Sequence, residues 1–337
     1  MIGHYLYNRG ATMKSSLFIL ISFRSNESSV QYITSILPIA PFLPTKMSLP
    51  STHKKTKYNE AIFIGSINEA YKAKNRFNAR ISLDYDNLIH IRFDCISEIT
   101  TIILRTNMVK DINEYSKVID SFIESHNIVS AVLRSRADSH INSSWEPEIY
   151  KAYGIDTDNL KMTYSPTLHK DIVDIEQFSG HGHEYGGILF TSAFLMWYGV
   201  DFFRFIPQDV LQNFSDCWTN ETLKNGTVKI QLYENIEDFQ TELAINRQWA
   251  FREYTKMDQV ADKWYTEYHA IGSADHSSAN MEILTGTFPH GGVRQVRLYL
   301  DKGGQTTAKK NAVKYVFKEY DSSGKVIAEG EGYIEMN

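Results

Sequence analysis

The chain has 337 residues, of which 42% are hydrophobic and 22% charged, a composition typical of folded domains and not of disordered chains. Its net charge of −5 and pI of about 6.1 give no overall positive field, which disfavours nucleic acid as the main partner. Cys95 and Cys217 lie far apart without CxxC neighbours, which excludes a disulfide framework or a zinc ribbon and favours a reducing, cytoplasmic compartment.

The N-terminal region offers two possible starts, Met1 and Met13. We expect residues 1–12 to be an upstream extension, because Met13 and the lysine after it would make a natural start. The apolar run 17–23 is too short to span a membrane, and no small-residue cleavage site follows it. It therefore predicts a buried strand, with a signal peptide as the alternative. Four prolines predict that residues 35–57 form an irregular loop.

The first half of the chain predicts a sheet covered by a helix. Short runs rich in β-branched residues predict strands at 79–83, 88–93, 100–104 and 128–133. A helix is predicted between the last two, with Asp111 as its N-cap and Glu114 as the partner in a capping box. Its apolar face would consist of Ile112, Tyr115, Val118, Ile119, Phe122 and Ile123.

The stretch 188–207 is almost continuously apolar, yet it is too aromatic and too interrupted by Gly199 and Asp201 for a membrane helix. It predicts a buried strand that ends near Trp197, then a turn and a short return to Pro207. The elements predicted after it are a helix at 208–214, a strand at 227–233, and helices at 237–255 and 258–268.

The C-terminal part differs in character. Residues 271–280 are small and polar and predict a linker between a main domain at 13–270 and a module at 281–337. Four runs separated by glycine-containing turns predict an antiparallel β-meander. The fold class is therefore predicted as α+β, with an antiparallel or mixed sheet, packed helices and a small C-terminal antiparallel β-meander.

Residues 180–187, GHGHEYGG, hold the densest candidate chemistry. In a strand, His181 and His183 would present both rings on one face, as a metal pair requires, and Glu184 adds a carboxylate. The four glycines instead favour a bent, solvated loop, and no further ligand follows at a characteristic distance. We therefore predict no metal and no cofactor, with a metal or acid–base centre as the alternative.

Other catalytic signatures are missing from the sequence. No GxSxG nucleophile motif occurs, and neither does a GxxxxGK or GxGxxG phosphate-binding loop. The basic residues of the C-terminal strands alternate with apolar ones, as on any solvated strand face. These absences favour a binding protein over an enzyme.

One segment carries a family resemblance, through the runs MWYGVDFFRFIPQDVLQNF, GTVKIQLYE and RQWAFREYTKMD. This pattern resembles bacterial polymorphic-toxin immunity proteins, and among them the immunity protein 52 family. It covers about residues 188–260, and with the strand-rich first half it extends from 13 to about 268. The residues that match are Met196, Trp197, Tyr198, Gly199, Phe202, Phe203, Pro207, Leu211, Gln231, Leu232, Tyr233, Arg247, Phe251 and Arg252. The C-terminal meander departs from the pattern.

The resemblance implies a non-catalytic protein that binds and neutralises a cognate toxin, which a net negative charge suits if the toxin is basic. The candidate contact residues are His181, His183, Glu184, Tyr185, Trp197, Tyr198, Arg247 and Arg252. The aromatic members are equally typical of a core, and the two arginines of surface ion pairs. The alternatives are a metal-dependent enzyme that uses His181, His183 and Glu184, and an adaptor that acts through the edge of the meander.

Overall fold

The computed structural model describes residues 16–25, 29–50, 55–73, 76–165, 168, 170–275, 281–285, 294–300, 313–320 and 326–333, and the structural statements below concern these. They belong to two compact units. The first contains residues up to Lys263 apart from 166–168, and the second contains 166–168 and the rest. The predicted α+β class is confirmed. The predicted extension at 1–12 lies outside the described residues.

The strands of the first unit are β1 (Leu17–Arg24), β2 (Lys46–Ser48), β3 (Thr56–Lys57), β4 (Phe77–Ser82), β5 (Leu88–Asp94), β6 (Ile99–Thr106), β7 (Ser130–Ser135), β8 (Met162–Ser165), β9 (Lys170–Val173), β10 (Gly182–Tyr185), β11 (Ile188–Thr191), β12 (Leu195–Tyr198), β13 (Thr219–Thr222) and β14 (Val228–Gln231). Ten of them form one sheet in the order β13-β14-β12-β7-β1-β6-β5-β4-β2-β3, and the described pairings are antiparallel. The pairs β8–β9 and β10–β11 form separate hairpins.

The helices are α1 (Ser29–Ile36), α2 (Glu60–Lys72), α3 (Ile112–Ser125), α4 (Arg136–Ser143), α5 (Pro147–Ala152), α6 (Gln208–Gln212), α7 (Glu242–Thr255) and α8 (Met257–Asp275). The predicted cap of α3 is confirmed, because the Asp111 carboxylate accepts from the main-chain N–H groups of Asn113 and Glu114 at 2.9 and 3.1 Å. None of the described helices is long and apolar enough to cross a membrane.

The two faces of the large sheet are covered differently. Helices α1, α2 and α3 pack on one face, where Tyr71 of α2 hydrogen-bonds Thr100 at 2.5 Å and Trp197 donates to Asp120 of α3 at 2.8 Å. We call the other the hairpin face, because the β10–β11 turn lies against it. Helix α7 also packs there, with Phe251 stacked 6.3 Å from Tyr198. Strand β7 is therefore buried on both sides, whereas the residues of β5 that face the hairpin side, such as His90 and Arg92, are only half-buried.

Several elements differ from the sequence-based expectation. Helix α2 was not predicted; Asn59 caps it by accepting from Ile62 N–H at 3.0 Å. The stretch 35–57 is not wholly irregular, because it contains β2 and β3 at the edge of the sheet. The apolar run at 188–197 forms two strands, β11 and β12, which belong to different sheets. Continuous hydrophobicity does not reveal such a division.

In the second unit, β15 (Met281–Thr285), β16 (Arg294–Leu300), β17 (Lys314–Tyr320) and β18 (Val326–Tyr333) form an antiparallel sheet in that order. This confirms the predicted C-terminal meander. Helix α8 continues to Asp275, so the first half of the expected linker 271–280 is helical and its second half lies outside the described residues. The proposed domain boundaries stay a prediction.

Candidate functional site

The motif GHGHEYGG forms a strand and a tight turn, so the expectation of a bent loop is wrong. Gly182–Tyr185 is β10, paired in register with β11 from Gly182 opposite Thr191 to Tyr185 opposite Ile188. Gly186 and Gly187 make the two-residue turn with φ of 57° and 79°. Positive φ at both positions is what a tight hairpin requires, so only this glycine pair is needed for the bend.

The turn is attached to the hairpin face of the sheet. The Gly187 carbonyl accepts hydrogen bonds from Ser22 Oγ of β1 at 2.5 Å and Thr101 Oγ1 of β6 at 3.0 Å. A Cβ at Gly187 would lie 2.7 Å from Ile99 Cγ2. These contacts fix the turn of the hairpin to the sheet. The side chains of β10 therefore have a defined position relative to the sheet.

His181 lies directly before β10 and is only 2% exposed. Its Nδ1 is 2.6 Å from the Phe178 carbonyl, which can only accept, so Nδ1 carries a proton. Its Nε2 faces Arg252 Nη2 at 2.5 Å and Asp258 Oδ1 at 3.2 Å. The neutral ring accepts from Arg252, and a protonated ring would donate to Asp258. The ring thus lies between a buried cation and a carboxylate.

Arg252, in the last turn of α7, uses its whole guanidinium internally. Nη1 donates to the His181 carbonyl at 2.8 Å and to Ser192 Oγ at 3.2 Å. Nε donates to Asp258 Oδ2 at 3.3 Å, and Nη2 donates to Asp258 Oδ1. This is a bidentate ion pair, the strongest geometry in which an arginine pairs with a carboxylate. Arg252 therefore links α7, the residue before β10 and the start of α8.

Asp258 reaches this position because the chain turns sharply between the two helices. Lys256 ends α7 in the left-handed conformation with φ of 56°, and Asp258 follows in the first turn of α8. Burial favours a raised pKa for the Asp258 carboxyl, but hydrogen bonds with His181 and Arg252 outweigh it and hold the pKa well below its usual range. Asp258 is thus a stable anion, also favoured by the helix N-terminus.

His183 and Tyr185 follow His181 on the same side of the strand. The His183 ring lies 5.2 Å from the His181 ring and is stacked on Tyr185 at 5.8 Å. Burial lowers the pKa of His183, and the neighbouring His181 and Arg252 lower it further, so its neutral form is favoured. A neutral imidazole is an available nitrogen donor.

The expected triad of His181, His183 and Glu184 is not brought together. Glu184 projects from the opposite side of β10 and pairs with Arg92 at 2.5 Å, as alternation along a strand dictates. Asp258 takes its place, and the nearest ligand atoms of His181, His183 and Asp258 all lie within 4.8 Å of one another. Asp258 gave no signal in the sequence, because it comes from another helix far along the chain.

These donors suit a transition metal by type, and the Nδ1 contact of His181 with a main-chain carbonyl is a common support for a metal ligand. However, Arg252 Nη2 already contacts both His181 Nε2 and Asp258 Oδ1. A metal ion at these donors would have to displace a buried guanidinium that holds the helices together. The arrangement therefore fits an internal ion-pair network better than a metal centre.

Four expected contact residues need correction. Trp197 is 0% exposed, and Tyr198 and Arg252 are each 2% exposed, so none has surface to offer a partner while the chain is folded. The same holds for a fourth expected contact residue, His181, which is also 2% exposed. They hold the core together instead. Arg247 is half-buried, and its guanidinium pairs with Asp216 at 3.4 Å and donates to the Leu232 carbonyl at 3.1 Å.

Sequence reasoning missed the outward side of α7. Its buried side includes Ala244, Gln248 and Phe251, yet large apolar side chains also project to solvent. We call these the outer residues of α7: Leu243, Ile245, Trp249 and Tyr254, with exposures of 59%, 36%, 38% and 46%. A helix that is apolar on several sides is usually covered, and this all-round pattern is the signal that could have found them.

Of the outer residues, Trp249 adjoins the buried network. The Trp249 ring lies 6.1 Å from the His181 ring. Beside them is a shallow depression of about 390 Å³, lined by Trp249, Arg252, Glu253, Lys256, Asp258 and Gln259. Glu242 and Glu253 are exposed on the same outward side. The surface is therefore aromatic with acidic groups around it.

Neither the models of known families nor the curated proteins compared with this chain gave a match.

Proposed function

We propose that this protein is a non-catalytic immunity protein that binds and neutralises a cognate protein toxin in the cytoplasm, with the outer residues of α7 as the contact surface. The observation that supports it most is the exposure of large apolar side chains on both flanks of one helix whose inner side is packed, with Leu243 and Tyr254 on one flank and Trp249 on the other. Exposed groups of large apolar side chains mark interaction surfaces. Tryptophan and tyrosine dominate the binding energy of such surfaces.

The resemblance supports the same proposal in a different way. The residues that resemble an immunity protein are largely structural here, since Trp197, Tyr198 and Phe251 lie in the core. They would therefore preserve a scaffold, while the exposed residues between them would differ with the toxin. This division suits a family whose members share a fold but bind different partners.

Charge indicates the kind of partner. Exposed carboxylates lie along and beside α7, at Glu234, Glu237, Glu242, Glu253 and Asp262. The two arginines of the helix are already engaged with Asp216 and Asp258. The surface left to a partner is therefore acidic, which favours a basic toxin and fast, salt-sensitive association.

The test takes a candidate toxin gene sought beside the gene for this chain and titrates its product, in a catalytically inactive form, calorimetrically with purified chain. We expect Trp249→Ala to weaken binding at least about tenfold, or about 1.4 kcal/mol. Trp145→Ala is the matched control, because Trp145 is 53% exposed in the connection between α4 and α5. Co-expression with the active toxin should show lost protection for the first variant only.

Equal binding by both variants would remove α7 as the contact surface. No binding by the unaltered chain would remove this toxin as the partner. Protection that arises because the chain catalytically consumes the toxin's substrate, without binding the toxin, would contradict the non-catalytic proposal.

A further inference from the structure

A second surface lies on the hairpin face of the sheet, over β4, β5 and β6. Arg80 is directly opposite His90, and Arg105 is two residues from Ile103, which is opposite His90 in turn. Residues directly opposite one another in antiparallel strands project from the same face. Arg92, two residues from His90, projects there as well. We call Arg80, Arg92, Arg105 and the adjacent Arg136 the arginine face.

Arg80 and Arg136 each lie close enough to Arg105 to act on the same ligand. Arg80 and Arg105 lie two strands apart and are offset by two residues along the strands, so their Cα atoms are about 12 Å apart at the usual strand spacing and rise. Arginine side chains are long enough to converge across that distance. The guanidinium carbons of Arg105 and Arg136 lie 5.4 and 5.1 Å from the centre of the same ring, that of Tyr85. Two cations thus share one exposed aromatic side chain.

The positive charge of this face is only partly balanced. Arg92 pairs with Glu184 and Arg136 with Asp86, each at 2.5 Å. Among the described residues, no carboxylate forms an ion pair with Arg80 or Arg105. Within the same part of the chain, Arg92 Nε is a buried donor with no hydrogen-bond partner. The unbalanced charges of Arg80 and Arg105 are what an oxyanion would balance, whereas Arg92 Nε is closed to solvent and out of reach of a surface ligand.

Two histidines border the face without neutralising it. Burial, then the charges of Arg80, Arg92 and Arg105, lower the pKa of His90 to about 4. Burial, then the charges of Arg136, Arg105 and Arg134, lower the pKa of His140 to about 4. Both rings are therefore neutral at physiological pH and can donate one hydrogen bond each, without adding charge.

We propose that the arginine face binds the phosphate group of a small phosphorylated molecule, between Arg80 and Arg105. A guanidinium group can donate two parallel N–H hydrogen bonds to two oxygens of one phosphate. A compact ligand suits the site better than a nucleic acid. The carboxylates of Glu184 and Asp86 lie at the edges of the site, and the whole chain has a net charge of −5. The site uses none of the outer residues of α7 and does not depend on the proposed toxin binding.

The test titrates the full chain with inorganic pyrophosphate by calorimetry, at constant ionic strength set with sodium chloride. We expect saturable binding that weakens at least about tenfold in Arg80→Gln and in Arg105→Gln. Arg204→Gln removes the same charge from an exposed position elsewhere and should bind normally. Arg105→Lys keeps the positive charge but loses the bidentate guanidinium geometry, so this variant should still bind pyrophosphate more weakly than the unaltered chain.

A short single-stranded oligonucleotide, measured in parallel, distinguishes the sources of phosphate. Equal pyrophosphate affinity in Arg80→Gln, Arg105→Gln and Arg204→Gln would overturn the proposal, as would no saturation up to about 10 mM. Oligonucleotide binding that is lost in the same variants, without pyrophosphate binding, would also overturn it in favour of a nucleic-acid surface. Circular dichroism melts confirm that each variant is folded.

Discussion

Arg252 holds His181 at two points at once, by donating to its main-chain carbonyl at 2.8 Å and to Nε2 of its ring. One side chain therefore fixes both the backbone before β10 and the orientation of the imidazole. Because the same guanidinium pairs with Asp258, the hairpin, the end of α7 and the start of α8 are coupled through a single residue.

Replacing Arg252 should destabilise the fold strongly. In Arg252→Lys, one ammonium with three N–H donors cannot meet the five acceptor atoms that Arg252 contacts, and buried partners lose their donors. We expect the free energy of unfolding to fall by about 2–4 kcal/mol, measured by urea denaturation. Arg247→Lys is the matched change on the same helix. Its ion pair with the largely exposed Asp216 should be worth about 1 kcal/mol or less. Similar losses in both variants would contradict a special role for Arg252.

The hairpin turn should tolerate no side chain at Gly187. In Gly187→Ala, the left-handed backbone costs about 1 kcal/mol, and the new Cβ meets Ile99 at 2.7 Å and Thr101 at 2.8 Å. We expect a total loss of about 2–3 kcal/mol. Gly226 has a φ of 85° and no atom within 4 Å of its added Cβ. Gly226→Ala therefore isolates the backbone cost, and equal thermal midpoints for the two variants would show that the turn is not docked on the sheet.

Acid should weaken the fold through His90 and His140. Their pKa values are lowered to about 4 in the folded chain, while an unperturbed histidine titrates near 6.5. Between these values the unfolded chain binds more protons, so stability falls as pH decreases from about 6.5 to 4. Each histidine contributes at most about 1.4 kcal/mol per pH unit. In His90→Gln with His140→Gln, denaturation curves at pH 7 and 5 should differ less than in the unaltered chain. An unchanged difference would show that other groups cause the acid sensitivity.

Metal binding should depend on the removal of Arg252. In the unaltered chain, the guanidinium contacts the same donor atoms that a metal would use, so we expect elemental analysis of chelator-free protein to find no stoichiometric transition metal. Arg252→Ala leaves His181, His183 and Asp258 without that cation and should gain affinity for added Zn²⁺. Stoichiometric metal in the unaltered chain, lost in His183→Ala, would instead make the cluster a metal centre.

The candidate site was only half visible before folding. Alternation would have placed His181, His183 and Tyr185 together had the glycine-rich motif been predicted as a strand. The four glycines of the motif favoured a loop over a strand, although only Gly186 and Gly187 form the turn. The outer residues of α7 were visible as apolar positions, but which of them a neighbouring element covers is not a local property.

The sequence by itself determined the α+β class, strand β1, the capped helix α3 and the C-terminal meander, because periodicity, β-branched runs and caps act over a few residues. Only the tertiary structure decided that Asp258 and not Glu184 joins the histidines, that Trp197 and Arg252 are interior, and that four arginines share one sheet face. Those outcomes depend on pairing between distant segments. A strand's partner and register set which side chains meet, and no single stretch of sequence contains that information.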